Sequence, residues 1–416
     1  MRIKMKSFRI LAGLIVLIAG GTQNLMATNA VAAGTCKPAL PSFTTIQAAV
    51  NAAPAAGTVW VCPGNYPEQV VISQPLTLQG VTNIGAAVIV PPVTGIVANS
   101  VLGLAGQIVV QDAAGVTIRD IAVDGSNNGL VSCSVTFVGI LFENASGLVD
   151  QAATRHQTFA GNPTCDGRGI EVRTDTGLSS TVTIQNSTVH DFQFEGIRAL
   201  GRGTAVAVKN TSVSGVLFSQ TSSNNIDFFE GASGSVTASW IVDAQFAPLV
   251  YPNFNSGAWG ILIDCASGVS LTGNTISDTQ SGIVMLSSLC STASSPNADN
   301  NNASGNFITG SHLFEGVYVC GNNNTVENNF INSSDESAVD VETRCNAGSG
   351  NNNTVAGNKI NEACAGVLLD PLATGNIIGS NRLANIHFQQ LSGVIGANAC
   401  DASGDQGVSA KLRPSN

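Results

Sequence analysis

Five charged residues, Glu171, Arg173, Arg198, Asp227 and Asp264, and three aromatics, Trp240, Tyr251 and Trp259, are the side chains whose types could together do chemistry on a sugar chain. Acid polysaccharide chemistry needs cations beside a uronate carboxylate and a base for the neighbouring proton. Hydrolysis instead needs two carboxyl groups, one protonated and one ionised. Asp227 and Asp264 are candidates for such a pair, and the aromatic rings could present apolar faces to sugars. A second reading stands beside this one. The charges then form solvated ion pairs of little energetic value, and the aromatics pack a long insertion onto the protein body.

These residues are far apart in the chain, so some regular element must gather them. Nine stretches share a small residue followed by a β-branched one: Gly95-Ile96, Gly139-Ile140, Gly169-Ile170, Gly196-Ile197, Gly260-Ile261, Gly282-Ile283, Gly316-Val317, Ala338-Val339 and Gly366-Val367. Asn225-Ile226 is a weaker tenth. Starts recur mostly every 22–35 residues, the period at which one supersecondary unit stacks on the next as a solenoid. The units are strand-rich, so the pattern predicts an all-β, single-stranded, right-handed parallel β-helix of about ten coils over residues 58–392. If the residue after each Gly points inward, the next points outward. This places Glu171, Arg173, Arg198, Asp227, Asp264, Asp340, Glu342 and Asp370 in one outer column, interrupted by Val284, Tyr318 and Leu368. Coils ~4.8 Å apart make such residues neighbours.

A second strand in most coils ends near an asparagine: Asn186, Asn210, Asn274, Asn306, Asn329, Asn358 and Asn381. Asparagine tolerates the left-handed turn conformation, and its amide can bond its counterpart one coil away, so these residues read as a structural ladder. Residues 143–167, 240–259 and 287–302 read as insertions, the places where binding groups tend to sit on a regular scaffold. Residues 45–53, capped by Thr44, read as a short helix lying across the first coil within a cap segment, residues 33–57. Residues 393–416 form a tail that caps the other end.

Residues 1–32 have the organisation of a secretory leader: four basic residues, an apolar run over 10–19, and Ala30-Val31-Ala32 as a small-residue cleavage site. The run is shorter than the ~20 residues of a spanning helix, and no later segment could cross a bilayer. The expected location is secreted or periplasmic, with no membrane association after leader removal. Without the leader the balance is 13 basic against 27 acidic residues, and an acidic surface with no basic run excludes nucleic acid as a partner. All ten cysteines lie beyond the leader. Pairing neighbours gives Cys36–Cys62, Cys133–Cys165, Cys265–Cys290, Cys320–Cys345 and Cys364–Cys400, each separated by about one coil.

The segment from Thr45-Ile46-Gln47-Ala48-Ala49-Val50 to Pro63-Gly64-Asn65-Tyr66-Pro67-Glu68 resembles the N-terminal part of pectin-lyase-like β-helix proteins. The resemblance implies the fold. It is shared by lyases, hydrolases, esterases and proteins without activity. Ile226-Asp227-Phe228-Phe229-Glu230-Gly231 superficially matches a pectinesterase run, but the Gln-Asp element is missing from its expected place upstream and Leu200-Gly201-Arg202 precedes the run, whereas that family's Arg motif comes after it. The Asn-Thr-Asp, Asp-Asp and Gly-His-Gly elements of polygalacturonases are absent, and the sequence Arg-Ile-Lys occurs only as Arg2-Ile3-Lys4 within the leader. Copper-delivery β-helix proteins share the repeat, but this chain has few His and Met ligands. His156, His190, His312 and His387 are scattered; His190 and His312 come just after strand turns. No cofactor motif is evident, and a calcium site assembled across coils is compatible with the sequence. The expected protein is a monomer that binds, and as an enzyme cleaves or modifies, a polysaccharide or cell-surface glycan by lyase or glycoside hydrolase chemistry. The alternative is a non-catalytic surface or adhesive protein that binds glycan.

Overall fold

The computed structural model describes residues 30–388 except 84, 176, 217–221, 246–256, 288–289, 291–296, 313, 344 and 346–347. Most of the leader, Tyr251, Cys400 and the tail from 393 lie outside the described residues. Each coil contributes strands to three parallel faces. The front face holds Phe137–Glu143, Gly167–Arg173, Glu195–Leu200, Ser223–Phe229, Ala258–Asp264 and Ser281–Leu286. The back face holds strands such as Ser180–Gln185 and Thr204–Lys209, and the side face those such as Ala153–Arg155, Thr188–His190 and Trp240–Ala244. Front and side merge into one sheet where Phe330–Val341 and Lys359–Leu369 run round the corner between them.

Strands of adjacent coils pair parallel and in register. Ile140, Ile170, Ile197, Ile226, Ile261, Ile283, Val317, Val339 and Val367 form one inward column. With the alternating aliphatics of the other two faces they make one continuous core along the axis. Each fully buried aliphatic side chain contributes about 1.5–3 kcal/mol. The back-face sheet has 14 strands, of which Ser42–Phe43 and Ala30–Ala33 belong to the cap. Twelve coils remain rather than about ten, because the first coils and the last lack the Gly signature. Gly95-Ile96 is one false member: it lies in the connection between Ala87–Val90 and Ala105–Gln111, and Gln107-Ile108 occupies its place in the column.

The repeated Gly sits where the chain turns from side face to front face. A Cβ at Gly196 would lie 2.5 Å from Asn225 O and 2.6 Å from Val213 Cγ1, closer than van der Waals contact allows. Where Asn225 replaces Gly, its amide enters the same interior corner and donates to Val242 O at 2.7 Å. This bend turns both the Gly and the β-branched residue after it inward, so the residue before the Gly also faces outward.

The resemblance motif at the N-terminus is a capping device. The helix Ile46–Ala52 is capped by Thr45, not Thr44, and the Glu68 carboxylate accepts from Ile46 N at 2.7 Å and Gln47 N at 2.9 Å. Tyr66 OH donates to the carbonyls of Ala33 and Cys62. Ala30–Ala33 is a paired strand between Ser42–Phe43 and Gly57–Val61, with Val31, Ala32 and Ala33 buried, so folded structure begins before residue 33.

The asparagine ladder runs Asn274–Asn306–Asn329–Asn358–Asn381, each amide donating to the next side-chain oxygen at 2.9–3.0 Å. Asn186 and Asn210 are not in it; they sit one residue earlier, at the left-handed turn position with φ near 50°. A further ladder, Asn301–Asn324–Asn353–Asn376, lines the other end of the back-face strands.

The insertions fall differently from the expectation. Residues 143–167 contain two coil strands, Gly147–Asp150 and Ala153–Arg155. Unexpected excursions are 91–104 and 125–136; with 156–166, the remainder of that segment, they leave the corner between side and front faces. Of the expected insertions 240–259 and 287–302, residues 246–256, 288–289 and 291–296 lie outside the described residues. Four disulfides have both cysteines among the described residues, Cys36–Cys62, Cys133–Cys165, Cys265–Cys290 and Cys320–Cys345. Cys133–Cys165 staples the second excursion to the third. Cys364 is also disulfide-bonded; its expected partner, Cys400, is outside the described residues.

Candidate functional site

The outer surface of the front face carries three rows of side chains. The row before the Gly position reads Val138, Arg168, Glu195, Asn224, Trp259. The middle row reads Leu141, Glu171, Arg198, Asp227, Leu262, Val284, Tyr318, Asp340. The third reads Glu143, Arg173, Leu200, Phe229, Asp264, Leu286. Charged residues therefore fill three successive coils of the middle row, a span of ~10 Å at the coil spacing. Apolar clusters bound them: Leu104, Val109, Val138 and Leu141 on one side, and Leu262, Val284 and Leu286 with Trp259 and Tyr318 on the other.

Within that span the charges form one network. Arg168 approaches Glu171 at 2.6 Å, Glu195 at 2.6 Å and Asp166 at 3.1 Å. Arg198 reaches Glu195 at 3.1 Å and Asp227 at 3.7 Å, and lies 4.9 Å from the centre of the Phe229 ring. Arg173 stands 3.6 Å from Glu171. The approaches by Arg168 Nε and Arg198 Nε are ionic contacts without hydrogen-bond alignment. Although they project away from the core, Glu171, Glu195, Asp227 and Asp264 are buried, while Arg173, its side chain 23% exposed, and Asp166, 40% exposed, retain access to solvent.

Burial pushes the Glu171 carboxyl up, but Arg168, Arg198 and Arg173 outweigh it and hold the group below the usual carboxylate range. Burial likewise works against the charge of Arg168, and Glu171, Glu195 and Asp166 more than restore it. Asp227 goes the other way. Burial, the nearby Glu195 and Asp264 carboxyls and a hydrogen bond with Glu195 push it well above the usual carboxylate range against the opposing pull of Arg198. Asp227 is thus pushed toward its protonated form while Glu171 in the same row is held toward its ionised form, the separation of roles that acid–base catalysis on sugars requires. Asp227 Oδ1 is buried without a hydrogen-bond partner.

Of the five charged candidates, Glu171, Arg198 and Asp227 stack in one row and Arg173 flanks them. Asp264 is in the third row, paired with Phe229; Leu262 occupies the place beside Asp227. It still bears on Asp227 through its charge. Asp340 lies four coils beyond Asp227 in the middle row. Trp259 joins the cluster next to Asn224. Trp240 does not: it belongs to the side face, between Ser212 and Thr275, and is 55% exposed. Tyr251 lies outside the described residues. Arg168, Glu195 and Asn224 were missed, since strict alternation from the Gly points them inward; the polar residue before each Gly was the available signal. Among the described residues, Asp264, Cys265 and Cys290 bring three donor atoms within 4.8 Å, but the two sulfurs are bonded to each other and the group is not an ion site.

Residues 138–318 match the family described as a right handed beta helix region. No curated protein sequence matches the chain. Among solved structures it is similar to the Dettilon tailspike protein gp208, at 14% identity and TM-score 0.54, covering 79% of this chain and 62% of that one. It is also similar to the GH136 lacto-N-biosidase from Eubacterium ramulus, at 13% identity and TM-score 0.54, covering 87% and 68%. The periplasmic alginate epimerase AlgG aligns at 12% identity over 83% of each chain with a TM-score of 0.49. The chain spans less than two thirds of the tailspike's length, and at these identities the likeness is one of fold. Matched segment, parallel register and architecture together give this chain the right-handed parallel β-helix fold.

Proposed function

We propose that the front face between Arg168 and Asp264 binds a glycan chain outside the cytoplasm, and that Asp227 and Asp264 supply the acid and base that cleave or modify it. The observation that carries the reading is Asp227, a carboxyl pushed toward its protonated form within a three-coil ionic patch bounded by apolar rungs and Trp259. Exported status rests on the leader-like sequence and the disulfides. That one structure of like fold is a lacto-N-biosidase is support by analogy. The arginines already face protein carboxylates, which favours hydrolysis of a neutral sugar over lyase action on a uronate. The burial of the charged groups favours a second reading, in which the network is structural and the protein binds glycan without turning it over.

Incubating the purified protein with neutral glycans, pectins and alginates, while recording reducing ends and unsaturated-product absorbance, separates these readings. The proposal expects new reducing ends without absorbance, and loss of at least a hundredfold in rate in Asp227→Asn with folding intact. Binding without products supports the structural reading of the network; full activity in Asp227→Asn removes the acid assignment.

A further inference from the structure

At the corner between side and front faces, Asp124, Arg155 and His190 lie in register on successive coils, with His156 and Asp191 next in the chain at left-handed turn positions. His156 Nδ1 is 3.0 Å from Asp124 Oδ1 and 2.9 Å from Ser126 Oγ. Asp124 is in turn fixed by Arg155 Nε at 2.8 Å and Ser126 N at 2.9 Å. Burial alone would raise the Asp124 carboxyl, but these bonds hold it ionised far below its usual range. The Ser–His–Asp trio is not a nucleophile triad, because serine and aspartate meet the same ring nitrogen; a triad places them on opposite ones. The arrangement instead orients the His156 ring and directs Nε2 at Asp191 Oδ2, 3.6 Å away. His190 Nδ1 approaches that same oxygen at 2.7 Å. Each imidazole thus approaches the same oxygen of Asp191, although the two ring nitrogens lie more than 4.8 Å from each other, and all three side chains are 38–51% exposed and open to solvent ions.

The geometry points to a surface site for a divalent transition-metal ion of the zinc class, held by His156 Nε2, His190 Nδ1 and the Asp191 carboxylate, with water completing the shell. Imidazole and carboxylate donors suit this ion class, and a carboxylate on the far nitrogen of a ligating histidine is the arrangement that fixes such rings. The ring centres are 6.4 Å apart at 74°, so the rings must close on Asp191 as the ion replaces the hydrogen bond between His190 and Asp191. Binding releases protons, and affinity falls as pH drops. His156 roots the excursion 156–166 and Asp124 the excursion 125–136, which Cys133–Cys165 ties together. A bound ion would clasp that double excursion to the next coil, stiffening one wall beside the front face.

The test is titration of untagged protein with Zn²⁺ by calorimetry, with bound metal counted after gel filtration and the melting temperature recorded. One ion per chain and a raised melting temperature are expected. His156→Ala and His190→Ala should each weaken binding at least tenfold, Asp124→Asn 10–100-fold, and His312→Ala, at Asp278 elsewhere on the corner row, should change nothing. If His156→Ala does not fold, His190→Ala, whose half-exposed ring is bonded to Asp191 beside it in the chain, carries the comparison. Absence of binding in the wild type, or unchanged binding in His190→Ala, overturns the site. Neither result depends on glycan turnover.

Discussion

Replacing Arg168 by Met removes a cation that bridges Glu171 on its own coil and Glu195 on the next, while keeping side-chain bulk. Glu171, fully buried, would retain Arg173 at 3.6 Å and the field of Arg198; Glu195 would retain Arg198 at 3.1 Å. Removing one partner of a buried pair costs about 3–5 kcal/mol, since it leaves an uncompensated charge. The pH dependence should also reverse. In the wild type the folded Glu171 carboxyl is held below its unfolded value of about 4.3, so its contribution is complete above that pH and is lost as pH falls through the folded value. Without Arg168, burial dominates and the folded value rises above the unfolded one. The variant should then gain stability on going from pH 7.5 to pH 5, where the wild type gains none from this group. Urea unfolding at both pH values measures this, and because solenoids unfold regionally, hydrogen exchange in Gly167–Arg173 and Glu195–Leu200 localises it. A loss below about 1 kcal/mol, outside the range for a broken buried pair, or an unchanged pH slope, would refute the network as drawn.

The scaffold has consequences of its own. Gly196→Ala should lose about 1–3 kcal/mol, read as a lower melting temperature, because its methyl meets Asn225 O and Val213 at 2.5–2.6 Å. Asn329→Ala should lose about 2–4 kcal/mol, since Asn306 loses its acceptor and the buried Ala303 carbonyl its donor; hydrogen exchange should rise on the back face around that coil. Glu68→Ala should cost about 1 kcal/mol by leaving two helix N–H groups without an acceptor, with the helix fraying before global unfolding. If the leader is removed on export, the remaining chain should retain Ala30, because cleavage after Ala32 removes most of a strand paired on both sides; an N-terminus at Ala33, found by mass spectrometry, would contradict this.

The inward half of the fold was legible because it is local. A β-branched residue after a Gly, with aliphatics alternating beyond it, fixes which side chains face the core whatever the neighbouring coil contains. The same locality exposed the helix, the asparagine ladder and the four observed disulfides. It misled at Gly95-Ile96, where the dipeptide recurs without a strand, and at residues 143–167, where polar composition hid two short strands. The candidate site was half legible. Glu171, Arg198 and Asp227 are set by the repeat, but the turn at each Gly adds an outward position that simple alternation denies, and Arg168, Glu195 and Asn224 occupy it.

The chain's own order of residues determined a parallel coil of stacked strands, its core and its ladder, since those depend on spacing within one turn. Tertiary structure decided which outward residues meet. Coils differ in length, and each excursion displaces the coils beyond it along the chain, so contacts between residues some 30 positions apart depend on the register of whole turns. Thus Trp240 turns to another face, whereas Asp264 stands beside Phe229 as the aligned repeats Asn225-Ile226 and Gly260-Ile261 already require. The direction of titration was decided there too: Glu171, held below the usual carboxylate range, and Asp227, pushed well above it, are both acids on a strand exterior, separated by the charges that neighbouring coils place around each.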